Sequence, residues 1–201
     1  MGEKNLHLAL KKWYSRPSDS LEANLDGYNI DIFREDQIIE IQTANFSAIK
    51  PKLKFFLNRY SVRLVHPISE KKWIVRIDSK NKTLLSRRKS PRKGRVEDIF
   101  FELVYMPLLI KNPNFSLEVL LIDSEEILLN DGLGSWRRNG WSIHDRKLLN
   151  VIEQFVFSDP TDFLSFLPTT LPEEFTTKDL ARELKLRQRI AQKMTYCLRL
   201  L

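Results

Sequence analysis

The chain has 201 residues, of which 42% are hydrophobic and 29% charged, and a net charge of +7. This composition excludes wholesale disorder and predicts one domain or two small ones. One cysteine, Cys197, excludes an intrachain disulfide, and three scattered histidines exclude a zinc-finger framework. No apolar run approaches the roughly 18 residues of a membrane span. The N-terminus lacks the apolar core of a signal peptide, so we expect a cytoplasmic protein without a membrane partner.

The first part of the chain mixes helical and strand-like patterns. Apolar residues at helical spacing predict a helix over residues 3–14, and strict alternation predicts the strands. The polar stretch Ser15–Asp26 is expected to be a loop. The further predicted elements are strands Tyr28–Phe33 and Gln37–Thr43, a helix over 46–59 capped by Asn45 or Ser47 with Pro51 tolerable only in its first turn, and strands Ser61–Pro67 and Lys72–Asp78.

The second part begins with a basic segment, Lys80–Arg95, which is expected to be a loop. The pattern then predicts a helix up to Pro107, two strands, a glycine-containing loop and a largely helical remainder. These elements are Val96–Leu109, Ser116–Ile122, Glu126–Leu129, Asp131–Gly140, a helix Arg146–Phe157, a short helix or turn Thr161–Pro172, and helices over 177–184 and 187–201. The predicted division is a domain over 1–130, a connecting loop over 131–145 and a helical region over 146–201.

Two acidic residues on the predicted hairpin form the most informative constellation. If Glu35 and Asp36 form the turn, Asp31 faces Glu40, Asn29 faces Gln42, and Ile30, Ile32, Ile39 and Ile41 form the opposite, core face. Directly opposed Cβ atoms lie about 4.5–5.5 Å apart, so the two carboxylates repel each other. A divalent cation between them would offset that repulsion, and oxygen ligands favour Mg²⁺ or Mn²⁺. The alternative is a different register, or two carboxylates at a wet sheet edge.

Asp31, the next eight residues and the triplet Glu40-Ile41-Gln42 resemble the signature of the PD-(D/E)XK nuclease superfamily. Blocks such as RLVHPI and RRKSPRKG add a resemblance to a prokaryotic family. The superfamily resemblance implies a restriction-endonuclease-like α/β fold, a mixed sheet flanked by helices. It also implies that Asp31, Glu40 and the carbonyl of Ile41 hold the metal.

Gln42 stands where the resemblance implies a lysine. Glutamine has no charge and cannot act as a base, so Gln42 is expected to orient water. Lys50 or Lys52, near the start of the next helix, could supply the missing ammonium; the alternative for each is a phosphate-contacting or solvated lysine. The resemblance also implies an additional acid on the first helix, for which Glu3 is the candidate. An ordinary charged helix face is the alternative for Glu3.

Clustered positive charge indicates nucleic acid as the partner. The basic segment holds eight basic residues and no acidic ones, which is typical of a polyanion-binding patch or of a solvated loop. The 185–199 stretch holds five more, in a pair of helices resembling part of a winged-helix or helix-turn-helix unit. Helix docking or dimerisation is the alternative for this pair. The predicted nucleic-acid-binding residues are Arg87, Arg88, Lys89, Arg92, Lys93, Arg95, Arg137, Arg138, Arg187, Arg189 and Lys193.

The sequence therefore predicts an α/β nuclease-like domain followed by a small helical, winged-helix-like region. The predicted activity is Mg²⁺- or Mn²⁺-dependent hydrolysis of DNA phosphodiester bonds, with RNA as the other candidate substrate and a homodimer as one candidate assembly. Two further classes stay open at this stage. One is a nucleic-acid-binding or regulatory protein that keeps the fold without the chemistry, which Gln42 permits. The other is a module whose basic segment meets an acidic protein.

Overall fold

The structure, a computed structural model, describes residues 3–201, with side chains from Asn5 onward. It is an α/β fold with a mixed seven-stranded sheet in the order β1-β2-β3-β4-β6-β7, and β5 pairs with β4 outside this path. Only the β3–β4 pair is parallel among the four registers β1–β2, β2–β3, β3–β4 and β4–β5. The strands are β1 Ser20–Leu25, β2 Tyr28–Arg34, β3 Gln37–Ile41, β4 Ser61–Ile77, β5 Leu84–Lys89, β6 Phe115–Asn130 and β7 Trp141–Phe157.

Five α-helices and four short 3₁₀ helices accompany the sheet in the described chain. None of the helices over residues 3–201 is both long and apolar enough to cross a membrane. The α-helices are α1 Glu3–Tyr14, α2 Phe46–Phe56, α3 Phe100–Leu103, α4 Thr177–Glu183 and α5 Gln188–Leu198, and the 3₁₀ helices are Val96–Ile99, Pro107–Lys111, Trp136–Arg138 and Pro160–Phe166.

The chain packs into two compact units, both discontinuous in sequence. The first unit comprises the residues up to Pro17, 67–95 and 120–154; the second comprises 18–66, 96–119 and 155–201. The long strands β4, β6 and β7 contribute residues to both units. This division is discontinuous, whereas the division predicted from the sequence was linear.

The β2–β3 hairpin in the second unit forms as its alternation predicts. Glu35 and Asp36 make the turn, and the register pairs Phe33 with Ile38 and Ile32 with Ile39. Isoleucine side chains on both strands are buried, because one face of the hairpin lies against the core. From β3 the chain crosses over through α2 and returns as β4, parallel to β3, which is the connection that a parallel pair requires.

Two segments expected to be loops are strands. Residues 20–25 form β1 and pair with β2, and the basic segment contains β5, which pairs with β4. All six residues of β5 are exposed, so no inward-facing apolar set marks it as a strand. Main-chain hydrogen bonds to β4 hold β5 in place, and a hydrophobic pattern does not report such bonds.

The predicted helix Arg146–Phe157 is wrong, since these residues belong to β7. Their apolar residues recur at helical spacing, but most of these apolar side chains are β-branched or aromatic, and pairing with β6 decides the structure of the segment. The helical part of the predicted C-terminal region therefore starts later, with a 3₁₀ helix at Pro160. The strand pairs predicted within 61–78 and within 116–129 are continuous strands, β4 and β6.

Helix α2 departs from the expectation about its proline and its cap. Pro51 lies inside the helix, beyond its first turn, and Asn45 occupies the N-cap position without a capping side-chain hydrogen bond. Helix α4, by contrast, begins with a capping box, in which Thr176 and Asp179 exchange both hydrogen bonds.

Truncation of one isoleucine in the hairpin tests its burial. Ile39 is fully buried, so Ile39→Ala should lower the free energy of unfolding by about 2–5 kcal/mol through lost burial and a residual cavity. Urea unfolding measures the change, with Leu133→Ala as the control because Leu133 is 84% exposed. Equal losses in the two variants would contradict the hairpin's position in the core.

Candidate active site

Asp31 and Glu40 occupy neighbouring positions on β2 and β3. The β2–β3 register, continued by one residue beyond Ile32 and Ile39, places Asp31 opposite Glu40. Glu40 lies between Ile39 and Ile41, and the backbone N–H of Gln42 donates to the carbonyl of Val65 on β4. The alternation of a strand therefore turns the backbone of Glu40 toward β4 and away from β2. Asp31 and Glu40 thus form a pair without main-chain hydrogen bonds, the kind in which opposed side chains come closest.

The Asp31 carboxylate also ends the main-chain pairing of the hairpin. The backbone N–H of Ile41 faces β2 and donates to Oδ2 of Asp31 over 2.8 Å. In a strand, the N–H and C=O of one residue point to the same edge, so the carbonyl of Ile41 also faces β2. The structure thereby brings Asp31, Glu40 and the Ile41 backbone together at one strand end.

Glu40 is a buried carboxylate with an unusual proton affinity. Burial raises its pKa to about 7, the nearby Lys52 ammonium opposes that rise, and repulsion from Asp31 adds to it. Lys52 forms the ion pair directly, with Nζ 2.5 Å from Oε1 of Glu40, and both side chains are mostly shielded from solvent. This Oε1 atom has no well-aligned hydrogen bond to any described residue. A buried anion in this state favours an additional cation or proton.

Of the two candidate lysines, only Lys52 reaches the acidic pair. Besides Glu40, its ammonium donates to the backbone carbonyl of Asn29 on β2. Lys50 instead donates to the backbone carbonyl of Tyr105 over 2.9 Å. Residues that are two positions apart in an α-helix, as Lys50 and Lys52 are, point about 200° apart around the helix axis. The two lysines therefore leave α2 on opposite sides.

Gln42 turns toward the β3–α2 connection. Its side-chain amide donates to the backbone carbonyl of Ala44 over 2.5 Å, so it stabilises the turn that follows the acidic strand. Gln42 lies just past the end of β3, and its predicted position opposite Asn29 is beyond the paired residues; the side-chain oxygen of Asn29 accepts from Asn24 on β1.

Two residues outside the predicted site support this turn. The Nδ1–H of His66 donates to the backbone carbonyl of Gln42 over 2.6 Å, and burial lowers the pKa of His66 below its ordinary value. The Glu102 carboxylate accepts from the backbone N–H of Phe46, which lacks a side-chain cap from Asn45. Glu102 lies in an apolar run, and nothing in the sequence marks its distant partner.

The chain can be placed by comparison with known proteins. A family model described as "Domain of unknown function (DUF8091)" matches residues 4–158. The chain belongs to this family. The matched region includes Asp31, Glu40 and Lys52, and it ends before α4 and α5. No solved structure matches the chain.

A relative extends the similarity beyond the DUF8091 region. An uncharacterised protein of Treponema pallidum (strain Nichols) is 33% identical over 181 residues, which are 90% of this chain and 72% of that protein. Because 181 residues exceed the length of the region up to residue 158, this similarity includes part of the C-terminal helical segment.

The additional acid predicted at Glu3 lies on α1, but its side chain is outside the described residues. Within the described part of the chain, no group of three or more His, Cys, Asp or Glu residues is arranged to hold a metal. The candidate ligand set therefore consists of two carboxylates and one backbone carbonyl.

The predicted nucleic-acid-binding residues fall in both units. Those of the basic segment lie in the first unit, where Arg87 pairs with Glu125 at 2.7 Å and Lys93 with Glu70 at 2.8 Å. Arg88, Lys89 and Arg92 are exposed and Arg95 is half-buried. The first unit also contains Arg137 and Arg138, both exposed beside Trp136, which is 81% exposed.

The remaining predicted binders belong to the second unit, together with the acidic pair. Arg187 is the N-cap residue of α5, and its exposed side chain makes no capping hydrogen bond. Arg189 is exposed and Lys193 is half-buried one turn further along the same helix. Arg189 and Lys193 both lie over aromatic rings of residues 100–105, which comprise α3 and the two residues after it and are called the α3 segment.

The raised pKa of Glu40 predicts a pH-dependent stability of the metal-free protein. Its pKa is about 7 in the folded chain and 4.5 ordinarily, so the contribution is complete below about pH 4.5 and is lost as the pH rises to about 7. A shift of this size corresponds to about 3 kcal/mol. Urea unfolding in EDTA between pH 4.5 and 8 measures it.

Two variants isolate the effect of Glu40. Glu40→Gln should flatten this part of the pH profile, whereas Asp36→Asn, at an exposed turn position, should leave the profile as it is in the wild type. The same pH slope in the wild type and in Glu40→Gln would show that Glu40 does not titrate near pH 7.

Proposed function

We propose that this protein hydrolyses phosphodiester bonds of DNA in a metal-dependent reaction. The observation that carries the proposal is the buried Glu40 carboxylate beside Asp31 at the end of β3, with the Lys52 ammonium at its Oε1 atom. Carboxylates that repel each other in a shielded position provide a site for a cation, and a neighbouring ammonium provides a second positive charge for a phosphate. RNA offers the same phosphodiester chemistry and is the other substrate to assay.

The oxygen atoms at this strand end fit a hard divalent cation. Asp31, Glu40 and the Ile41 carbonyl would hold Mg²⁺ or Mn²⁺, which keep several waters and also bind substrate phosphate oxygens. When bound, the ion supplies a water of lowered pKa and neutralises charge on the phosphate. The Glu40 Oε1 atom is buried without a well-aligned hydrogen bond, so a metal there would share this oxygen with the Lys52 ammonium or displace it.

The chain's own residues position the remaining groups. Lys52 carries its ammonium from α2 to the acidic pair, so it can donate hydrogen bonds to a water or a phosphate oxygen beside Glu40. Gln42 holds the following turn through Ala44, and His66 holds the Gln42 carbonyl from β4. We therefore assign water positioning to Lys52, and we assign to Gln42 the support of the turn in addition to the water-orienting role predicted from its place in the triplet.

The resemblance to PD-(D/E)XK nucleases supports the same assignment. The chain order of a helix, hairpin strands, a helix and a strand resembles the core of that superfamily and supports the proposal, and Lys52 would replace the lysine that Gln42 does not provide. We further propose that the C-terminal helices act as a winged-helix-like contact to nucleic acid and that the protein works in the cytoplasm.

A second candidate function is nucleic-acid binding without catalysis. One observation favours it: the Lys52 ammonium compensates the Glu40 carboxylate, and Gln42 adds no charge at the third position of the triplet. A fold that pairs its buried carboxylate with an internal ammonium needs no metal to compensate that charge. This candidate predicts binding of nucleic acid by the wild type and no cleavage at any metal concentration.

Substitution of Asp31 tests the catalytic candidate. Asp31→Asn keeps an oxygen that can accept from Ile41 but removes the charge that would bind a metal. We expect cleavage of labelled DNA and RNA in Mg²⁺ or Mn²⁺ to fall by on the order of 100-fold or more, and EDTA to abolish it in the wild type. Equal activity of the two proteins would remove the site assignment. Absence of cleavage by the wild type, with binding retained, would favour the second candidate.

Substitution of Lys52 tests its separate role. Lys52→Met should reduce kcat by about tenfold to 100-fold, because the reacting groups lose a positioned ammonium. Lys54→Met, on the same helix with an exposed side chain, should leave cleavage unchanged. Since removal of one partner of a buried ion pair destabilises a fold, Lys52→Arg provides a charged comparison and urea unfolding is measured for each variant. A kcat of Lys52→Met equal to that of Lys54→Met would exclude Lys52 from the reaction.

A further inference from the structure

We propose that the face shared by the α3 segment and α5 binds an unpaired strand of nucleic acid, with the ring of Tyr105 stacking on a base and the cations of Arg189 and Lys193 binding phosphates. This aromatic–cationic face consists of Phe101, Tyr105, Arg189 and Lys193. Nucleic acid as the ligand rests on the proposed function, whereas binding at this face requires no cleavage.

The two cations are held over two rings. The guanidinium carbon of Arg189 lies 5.7 Å from the Phe101 ring centroid, and Nζ of Lys193 lies 5.9 Å from the centroids of both Phe101 and Tyr105. Arg189 and Lys193 are four residues apart on α5 and so share one face of that helix. Contacts of this kind orient a cation without neutralising its charge.

Arg189 and Lys193 lack the ion pairs with carboxylates that are found in the basic segment. Among the described residues, no carboxylate pairs with Arg189 or Lys193, and from Lys185 to the end of the sequence there is no acidic residue. In the first unit, by contrast, Glu125 and Glu70 pair with Arg87 and Lys93. Positive charge that is already positioned and unpaired is the better complement to phosphate, because no internal ion pair has to break on binding.

Tyr105 adds a surface suited to a base. Its side chain is 51% exposed although it follows a helix that packs on α5. Lys50 fixes its backbone carbonyl from α2, so the ring is presented from an anchored segment. An exposed ring beside cations is the arrangement that stacks bases of single strands, where every base offers a π-face. A paired base inside a duplex does not present that face, so the aromatic–cationic face favours unpaired strands.

A binding assay that is independent of cleavage tests this face. The full chain carrying Asp31→Asn is titrated in EDTA into a fluorescein-labelled 20-nucleotide single-stranded DNA, the same sequence as RNA and the same sequence as a duplex, and anisotropy is recorded over a range of salt concentrations. The binding assay needs neither metal nor turnover, so it can be interpreted even if the protein does not hydrolyse nucleic acid. The cleavage assay can likewise be interpreted even if this face does not bind.

Two substitutions, each added to the Asp31→Asn protein, should affect the salt dependence of binding differently. Tyr105→Ala should weaken single-strand binding by about tenfold without changing the salt slope, and Tyr105→Phe should restore it, since stacking needs the ring and not the hydroxyl. Lys193→Glu should weaken binding by at least about tenfold and reduce the slope of log K against log salt by about 0.7 or more, because a phosphate contact is lost.

Matched controls lie elsewhere on the surface. Trp13→Ala removes another exposed aromatic, 45% exposed on α1, and Lys54→Glu makes the same charge change at an exposed position of α2, outside the C-terminal helices. Both should bind like the Asp31→Asn parent. Losses in Tyr105→Ala and Lys193→Glu no larger than those of their controls would overturn the proposal. Equal binding of duplex and single strand, with equal sensitivity to Tyr105→Ala, would overturn the assignment of unpaired bases.

Discussion

The burial of one carboxylate next to another is the constraint on which the candidate site depends. Glu40 is almost completely buried, Asp31 opposes its ionisation, and the Lys52 ammonium is the charge that compensates it. An ionised group in such a position is costly unless it is paired, so β3 and α2 must keep their relation for this strand end to be stable. The hairpin register, the crossover helix and the turn at Gln42 all maintain that relation.

Local patterns predicted the hairpin well because both of its determinants are local. The alternating isoleucines determine which face of the hairpin is buried, and the polar residues Glu35 and Asp36 determine where the chain turns. The pairing of Phe33 with Ile38 therefore followed from the sequence. The choice between Lys50 and Lys52 could not be made in this way. It depends on which side of α2 meets the sheet, and the packing of Phe46, Ile49, Leu53 and Phe56 settles that.

The wrong predictions for β5 and β7 have a different cause. β5 has six exposed residues and β7 has apolar residues at helical spacing, yet each is a strand because a neighbouring strand offers hydrogen bonds. Pairing between distant segments leaves no periodic mark on either of them. The contact of Glu102 with Phe46 is hidden for the same reason, since 56 residues separate the two in sequence.

Helix α2 is fastened on both of its flanks, by Lys52 to the hairpin and by Lys50 to the backbone of Tyr105. Rotation of the helix about its long axis would pull both ammonium groups from their partners at once, in opposite directions. The orientation of α2 is thus held by two lysine contacts, one on each side of the helix. Loss of either contact would leave the other lysine to hold α2 in this orientation.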